Sequence, residues 1–192
     1  MKNLFYLNLA FLILLFSCKK DDPVKTPDQV NSETISGVIS ESMTLKADVK
    51  YLLKGQVYVK NNSVLTVPAG VTIEVEKADD PAAKSALIIT KGSRLVISGT
   101  ADLPVVFTSA AASKSAGDWI GIIVLGRAPA NLAAAHVTGL PSSADTEFGS
   151  TISDDNSGSI QYLRLEYAGG LNPAQEEEWA IDMASGLSLM GV

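Results

Sequence analysis

Apolar residues recur along this chain in short alternating bursts. Val57/Val59, Leu65/Val67 and Ile73/Val75 are i, i+2 pairs spaced eight positions apart, while Tyr58, Thr66, Thr72 and Glu74 fall on the opposite side of the backbone. Period-two alternation over four or five residues predicts a strand with one wet face. Turn formers separate the pairs: Asn61-Asn62, Pro68-Ala69-Gly70 and Lys91-Gly92. In Val67-Pro68-Ala69-Gly70 the proline suits the second position of a type I turn and the glycine the fourth.

The bursts also repeat. Residues 63–75 (SVLTVPAGVTIEV) laid on 85–97 (SALIITKGSRLVI), an offset of 22, bring Leu65 onto Leu87, Val67 onto Ile89, Gly70 onto Gly92, Ile73 onto Leu95 and Val75 onto Ile97. The same step backwards from Leu65, Val67, Ile73 and Val75 reaches Met43, Leu45, Tyr51 and Leu53, all apolar. A fixed offset of this size marks a solenoid, and three short strands per coil with like stacked on like predict an all-β fold, a parallel β-helix. One coil cannot shield its own inward row. Each stacked apolar side chain therefore contributes about 1.5–3 kcal/mol only because its neighbours cover it. The pattern continues through Val105-Val106-Phe107 and residues 118–126 (DWIGIIVLG), breaks over 127–157, and resumes at 159–170 and 186–192.

The first seventeen residues are different in kind. Residues 4–16 form an apolar run interrupted only by Asn8, after a Lys2-bearing start; that is signal-peptide length and short of the ~18 residues that span a bilayer. Residues 19–33 (KKDDPVKTPDQVNSE) carry two prolines and almost no apolar content, so residues 18–34 read as a flexible tether able to reach ~50 Å when extended. The expected organisation is a signal at 1–17, the tether at 18–34, and a β-helix domain at 35–192 with a long insertion at 127–157.

The formal net charge is -6, and removal of residues 1–17 takes away Lys2 and leaves -7. An acidic chain without a basic cluster excludes nucleic acid as the expected partner, because that affinity rests on phosphate neutralisation. The only cysteine is Cys18. If it is lipid-modified, no disulfide, cysteine zinc site or cysteine nucleophile remains. No nucleophile-elbow, phosphate-loop or dinucleotide motif occurs, and the single histidine, His136, reads as a loop residue.

Candidate chemistry is acidic. Asp154, Asp155 and Asn156 close the insertion in a run, DDNSG, whose oxygens suit a hard cation such as calcium; the competing reading is a solvated turn stitched by side-chain-to-backbone bonds. Glu176-Glu177-Glu178 reads as a surface loop. Arg164 and Glu166 alternate with Leu163, Leu165 and Tyr167, which places them on the outward face, ready to pair with a neighbouring coil or to contact a sugar. Asp182 is the remaining acidic candidate. A loop as long as 127–157 is expected to lie against a lateral face and form a groove with the strand after it.

Three resemblances sharpen this picture. Leu15-Phe16-Ser17-Cys18 resembles the lipobox of bacterial lipoproteins, which implies a lipid on Cys18 and membrane anchoring without a helix. Lys19-Lys20-Asp21-Asp22 resembles the export tag of surface lipoproteins of the Bacteroidota, implying the outer face of the outer membrane. Residues 55–75 (GQVYVKNNSVLTVPAGVTIEV), LPVVFTSA, GDWIGIIVLGRAPAN, DDNSGSIQYLRLEYAGG and GLSLMGV together resemble a group of Bacteroidota surface lipoproteins built as a single-stranded right-handed parallel β-helix. Members of that group continue past the GLSLMGV-like strand, so this β-helix is expected to be incomplete at its C-terminus, as an N-terminal fragment. Residues 179–186 (WAIDMASG) depart from the group's Asn-Gly-containing turn.

The resemblance and the residues favour a non-catalytic surface module that binds a glycan or another surface protein. The alternative is a lyase or hydrolase acting on uronic-acid polysaccharides through Asp154, Asp155, Glu166 or Asp182. An inert truncated product is the third possibility.

Overall fold

The computed structural model describes residues 31–80, 83–130, 135–137, 140–170 and 186–192. Cys18, Asp182, the glutamate run 176–178 and most of the tether lie outside these residues. Fourteen strands are described, and no α-helix. They are β1 (Asn31–Ile39), β2 (Met43–Thr44), β3 (Val49–Val59), β4 (Val64–Pro68), β5 (Thr72–Val75), β6 (Ala86–Ile89), β7 (Arg94–Ser98) and β8 (Val105–Ser109), then β9 (Gly121–Leu125), β10 (Ala135–His136), β11 (Glu147–Phe148), β12 (Gly158–Gln161), β13 (Leu163–Leu165) and β14 (Leu187–Met190).

All pairings but one are parallel, and they form three walls. The first stacks the front halves of β1 and β3 with β5, β8 and β13. The second stacks the back half of β3 with β6, β9 and β14. The third stacks β2, β4, β7 and β12. The chain visits the walls in that order, coil after coil. Within β3 the turn from first wall to second is made at Gly55, whose φ of 66° an L side chain rarely adopts.

Inside the walls run continuous apolar columns: Tyr51, Ile73, Phe107 and Leu165; Val57, Leu87, Ile122 and Leu187; Met43, Leu65 and Leu95. Stacking partners lie about 4.8 Å apart along the axis, and most are fully buried. This is the parallel β-helix that the alternation predicts.

The register differs from the 22-residue expectation in a specific way. The step of 22 holds where Met43 meets Leu65 and Tyr51 meets Ile73. Beyond that, Leu65 stacks on Leu95 and not Leu87, while Leu87 stacks between Val57 and Ile122. Likewise Ile73 stacks on Phe107 and not Leu95. The sequence alignment slid by one wall, laying β4 and β5 on β6 and β7. Its physical cause is the long corner after β5, residues 76–85, which lengthens the coil without changing the strands. A second difference lies at the start: Asn31, Ser32, Glu33 and Thr34, which the sequence places in the tether, pair with Val49, Lys50, Tyr51 and Leu52.

The described part of the insertion packs on the body of the β-helix. Its short antiparallel hairpin pairs Ala135 with Phe148 and His136 with Glu147. Val137 and Leu140 pack on Ala86, Ile88, Ile123 and Leu125, the outward side chains of the second wall. That cover explains why β6 and β9 are buried on both faces.

Candidate functional site

The acidic turn at the end of the insertion is a latch. Asp155, with a side chain only 1% exposed, accepts the Arg127 backbone N–H at 3.0 Å and the Ser157 hydroxyl at 3.0 Å on Oδ2, and Arg127 Nε at 2.9 Å on Oδ1. Burial by itself would raise this carboxyl, but the Arg127 N–H and guanidinium and the Ser157 hydroxyl outweigh it and hold it below the usual carboxylate range. Because Arg127 and Ser157 are the two ends of the insertion, one carboxylate ties its base together. Asn156 Oδ1 accepts the Gly158 N–H at 2.9 Å, and the Asn156 carbonyl accepts Arg94 Nε at 3.0 Å. Asp154 is exposed. The oxygens of Asp155 and the amide oxygen of Asn156, offered by the sequence as calcium ligands, are therefore engaged by protein donors. Among the described residues no three acidic or histidine side chains gather into a metal-sized group.

The groove expected between the insertion and the strand after it is present beside this turn, but it faces inward. A cleft of about 550 Å³ is lined by 154–159 together with Leu95, Val124, Ile160, Leu189 and Val192. Leu95 and Val124 belong to the inward columns, so the cleft looks into the interior between the second and third walls and not along the flank. Leu189, stacked on Val124, is 53% exposed at its rim.

The flank itself carries the other candidates. Leu163 and Leu165 pack against the core, which turns Arg164 and Glu166 outward, where they form an ion pair. A hydrogen bond from Thr108 lowers the Glu166 carboxyl; burial opposes it, and Arg164 and Lys114 add to the lowering. At either end of β13 stands an exposed tyrosine with a left-handed backbone, Tyr162 at φ 48° and Tyr167 at φ 61°. The sequence alternation places Tyr167 inward with Leu165. In the structure the strand ends before it and the backbone reverses: the Lys114 ammonium lies 5.7 Å from the Tyr167 ring and 3.3 Å from the Thr108 hydroxyl. Arg164 and Glu166 thus face outward along the first wall, and Tyr162 and Tyr167 stand in the corners at its two ends.

Residues 37–192 match the model of the pectate-lyase-like β-helix domain. The chain belongs to this family. No curated protein and no solved structure matches it.

This β-helix domain also contains a charged site that sequence reasoning missed. Asp118, 2% exposed, takes the Ser109 hydroxyl at 2.7 Å and the Ser115 N–H at 3.0 Å on Oδ2, and Lys77 Nζ at 2.9 Å on Oδ1. Burial, the largest influence, raises this carboxyl; Lys77, Ser109 and Ser115 together outweigh it and leave it lowered. The one visible signal was an aspartate directly before the apolar run 119–125. With Ser109 fully buried, the cluster pins the corner between β8 and β9. Beside it, Phe107 and Trp119 stack with centroids 6.1 Å apart, and Trp119 Nε1 donates to the Glu166 carbonyl at 2.9 Å. The base of the tyrosine flank is thereby fixed to the core.

His136 stands 3.9 Å from Glu147. The Lys91 ammonium, 3.0 Å away on the other oxygen, holds Glu147 below its usual range.

Proposed function

We propose that this pectate-lyase-like β-helix is a non-catalytic surface module, anchored in the outer membrane by a lipid on Cys18, that binds a glycan along the outer side of β13. The observation that carries the binding site is the pair of exposed tyrosines in left-handed backbone on either side of the Arg164–Glu166 pair. Strained, exposed aromatic residues held over a rigid core offer apolar ring faces at low entropic cost, and strain of this kind concentrates at binding sites. Arg164 and Glu166 supply charged donors and acceptors between the rings, a combination that suits hydroxyl-rich chains. The lipobox-like LFSC and the charged residues after it support the anchor; among the described residues no helix is long and apolar enough to cross a membrane.

The test is binding of the full chain, in detergent, to immobilised cell-surface polysaccharides. Tyr162→Asn and Tyr167→Asn keep a residue that tolerates positive φ, so the fold is retained while the rings are lost. Binding by the parent chain and at least ten-fold weaker binding by the double variant is the expected result. Depolymerisation of the polysaccharide would instead establish the lyase or hydrolase reading, and unchanged binding by the variant would move the site off this flank.

A further inference from the structure

A second site lies where the insertion meets the body, and it is independent of the β13 flank. Two stacked corners form its floor: Lys60-Asn61-Asn62 between β3 and β4, and Thr90-Lys91 between β6 and β7. Ala144 and Asp145 of the insertion form its wall, enclosing about 280 Å³. Lys60 Nζ meets Asp145 Oδ2 at 2.7 Å and Lys91 Nζ meets Glu147 Oε2 at 3.0 Å. All four of these side chains are between 27% and 36% exposed, and Lys60, Lys91 and Asp145 line the pocket. Asn61 and Asn62 both stand in the left-handed region, at φ 61° and 58°. Neither carboxamide is engaged in a hydrogen bond among the described residues. A Cβ on Gly92 would come within 2.5 Å of Asn62 Oδ1, so the glycine is what lets the Asn62 carboxamide lie against the next corner.

Both ammonium groups are already paired, Lys60 with Asp145 in the lining and Lys91 with Glu147 beside it. Ammonium groups held by carboxylates in this way exert little net pull on an anion. What the pocket offers is a close set of donors and acceptors: ammonium, carboxamide and carboxylate. That is the complement of adjacent hydroxyl groups on a ring, each of which donates and accepts. We infer that this pocket binds a single neutral sugar residue, recognised through neighbouring hydroxyls by Asn61, Asn62, Asp145 and Lys91.

The experiment uses the full chain in detergent and measures binding of glucose, galactose, mannose and rhamnose, with glucuronate, galacturonate and inorganic phosphate alongside, by ligand-observed NMR. At least one neutral sugar is expected to bind more tightly than either uronate or phosphate. Asn61→Gly/Asn62→Gly removes both carboxamides at positions where glycine is at least as comfortable, so the melting temperature should hold while neutral-sugar affinity falls about ten-fold. Asp145→Asn leaves the shape and unbalances the charge, so the preference should move towards the uronates. Tyr167→Asn should leave binding at this pocket unchanged, which separates it from the flank. Preference of the parent chain for uronate or phosphate, no binding of any neutral sugar at millimolar concentration, or full affinity in the double-glycine variant would each overturn the assignment.

Discussion

At the residue scale, the molecule spends its carboxylates on holding corners. Asp155 satisfies the Arg127 N–H and guanidinium and the Ser157 hydroxyl at once. Asp155→Ala leaves those donors without their acceptor and should cost about 1–3 kcal/mol. Asp155→Asn, which still accepts, should cost less, and chemical denaturation separates the two. Asp118, Asp155 and Glu166 all titrate below their ordinary values in the folded chain. Their contribution to stability is therefore complete above the unfolded carboxylate range, near pH 4, and is lost as the pH falls through the lowered folded values. Denaturation midpoints should be flat from pH 7 to about 5 and drop steeply below about 4; an equal midpoint at pH 3 would contradict the assignment of these groups as paired. None of these partnerships was legible beforehand. The DDNSG run announced a turn, but its partner Arg127 lies 28 positions earlier, and no local pattern connects the two.

At the scale of elements, burial decides which substitutions matter. Leu87 is 1% exposed between Val57 and Ile122, and Leu189 is 53% exposed at the rim of the cleft. Leu87→Asp places an unpaired carboxylate in the column and should unfold the domain or cost more than about 4 kcal/mol, whereas Leu189→Asp should change stability by less than about 1 kcal/mol. Equal melting curves for the two would argue against the stacked columns. The insertion is seated by the same logic. Leu140, 1% exposed over Ile88, Ile123 and Leu125, should cost about 2–3 kcal/mol when changed to alanine. Lys60→Ala breaks a partly exposed pair with Asp145 and should cost under about 1 kcal/mol. The strands themselves were readable from alternation. What covers them was not, because Val137 and Leu140 stand in a stretch without strand periodicity.

At the scale of the whole molecule, one face of the helix carries the insertion, another the tyrosine flank, and the cleft looks into the interior. If Cys18 carries the anchor, Cys18→Ala should shift the protein from the membrane fraction to the soluble one, and retention in the membrane would refute the anchor. The sequence by itself determined that the chain is a β-solenoid of short strands with an inward apolar row, because alternation and turn residues are local properties that any coil must show. It also determined that Arg164 and Glu166 face outward, since two leucines between and beside them must face in. Beyond the first step, Met43 on Leu65 and Tyr51 on Ile73, only the tertiary structure decided which strand stacks on which. All three walls present the same i, i+2 apolar pair, so a shift by one wall leaves every local pattern satisfied. The choice among such registers is made by corner lengths, by glycines where backbones bend, and by side-chain pairs such as Asp155 with Arg127 that close only when the coils are in place.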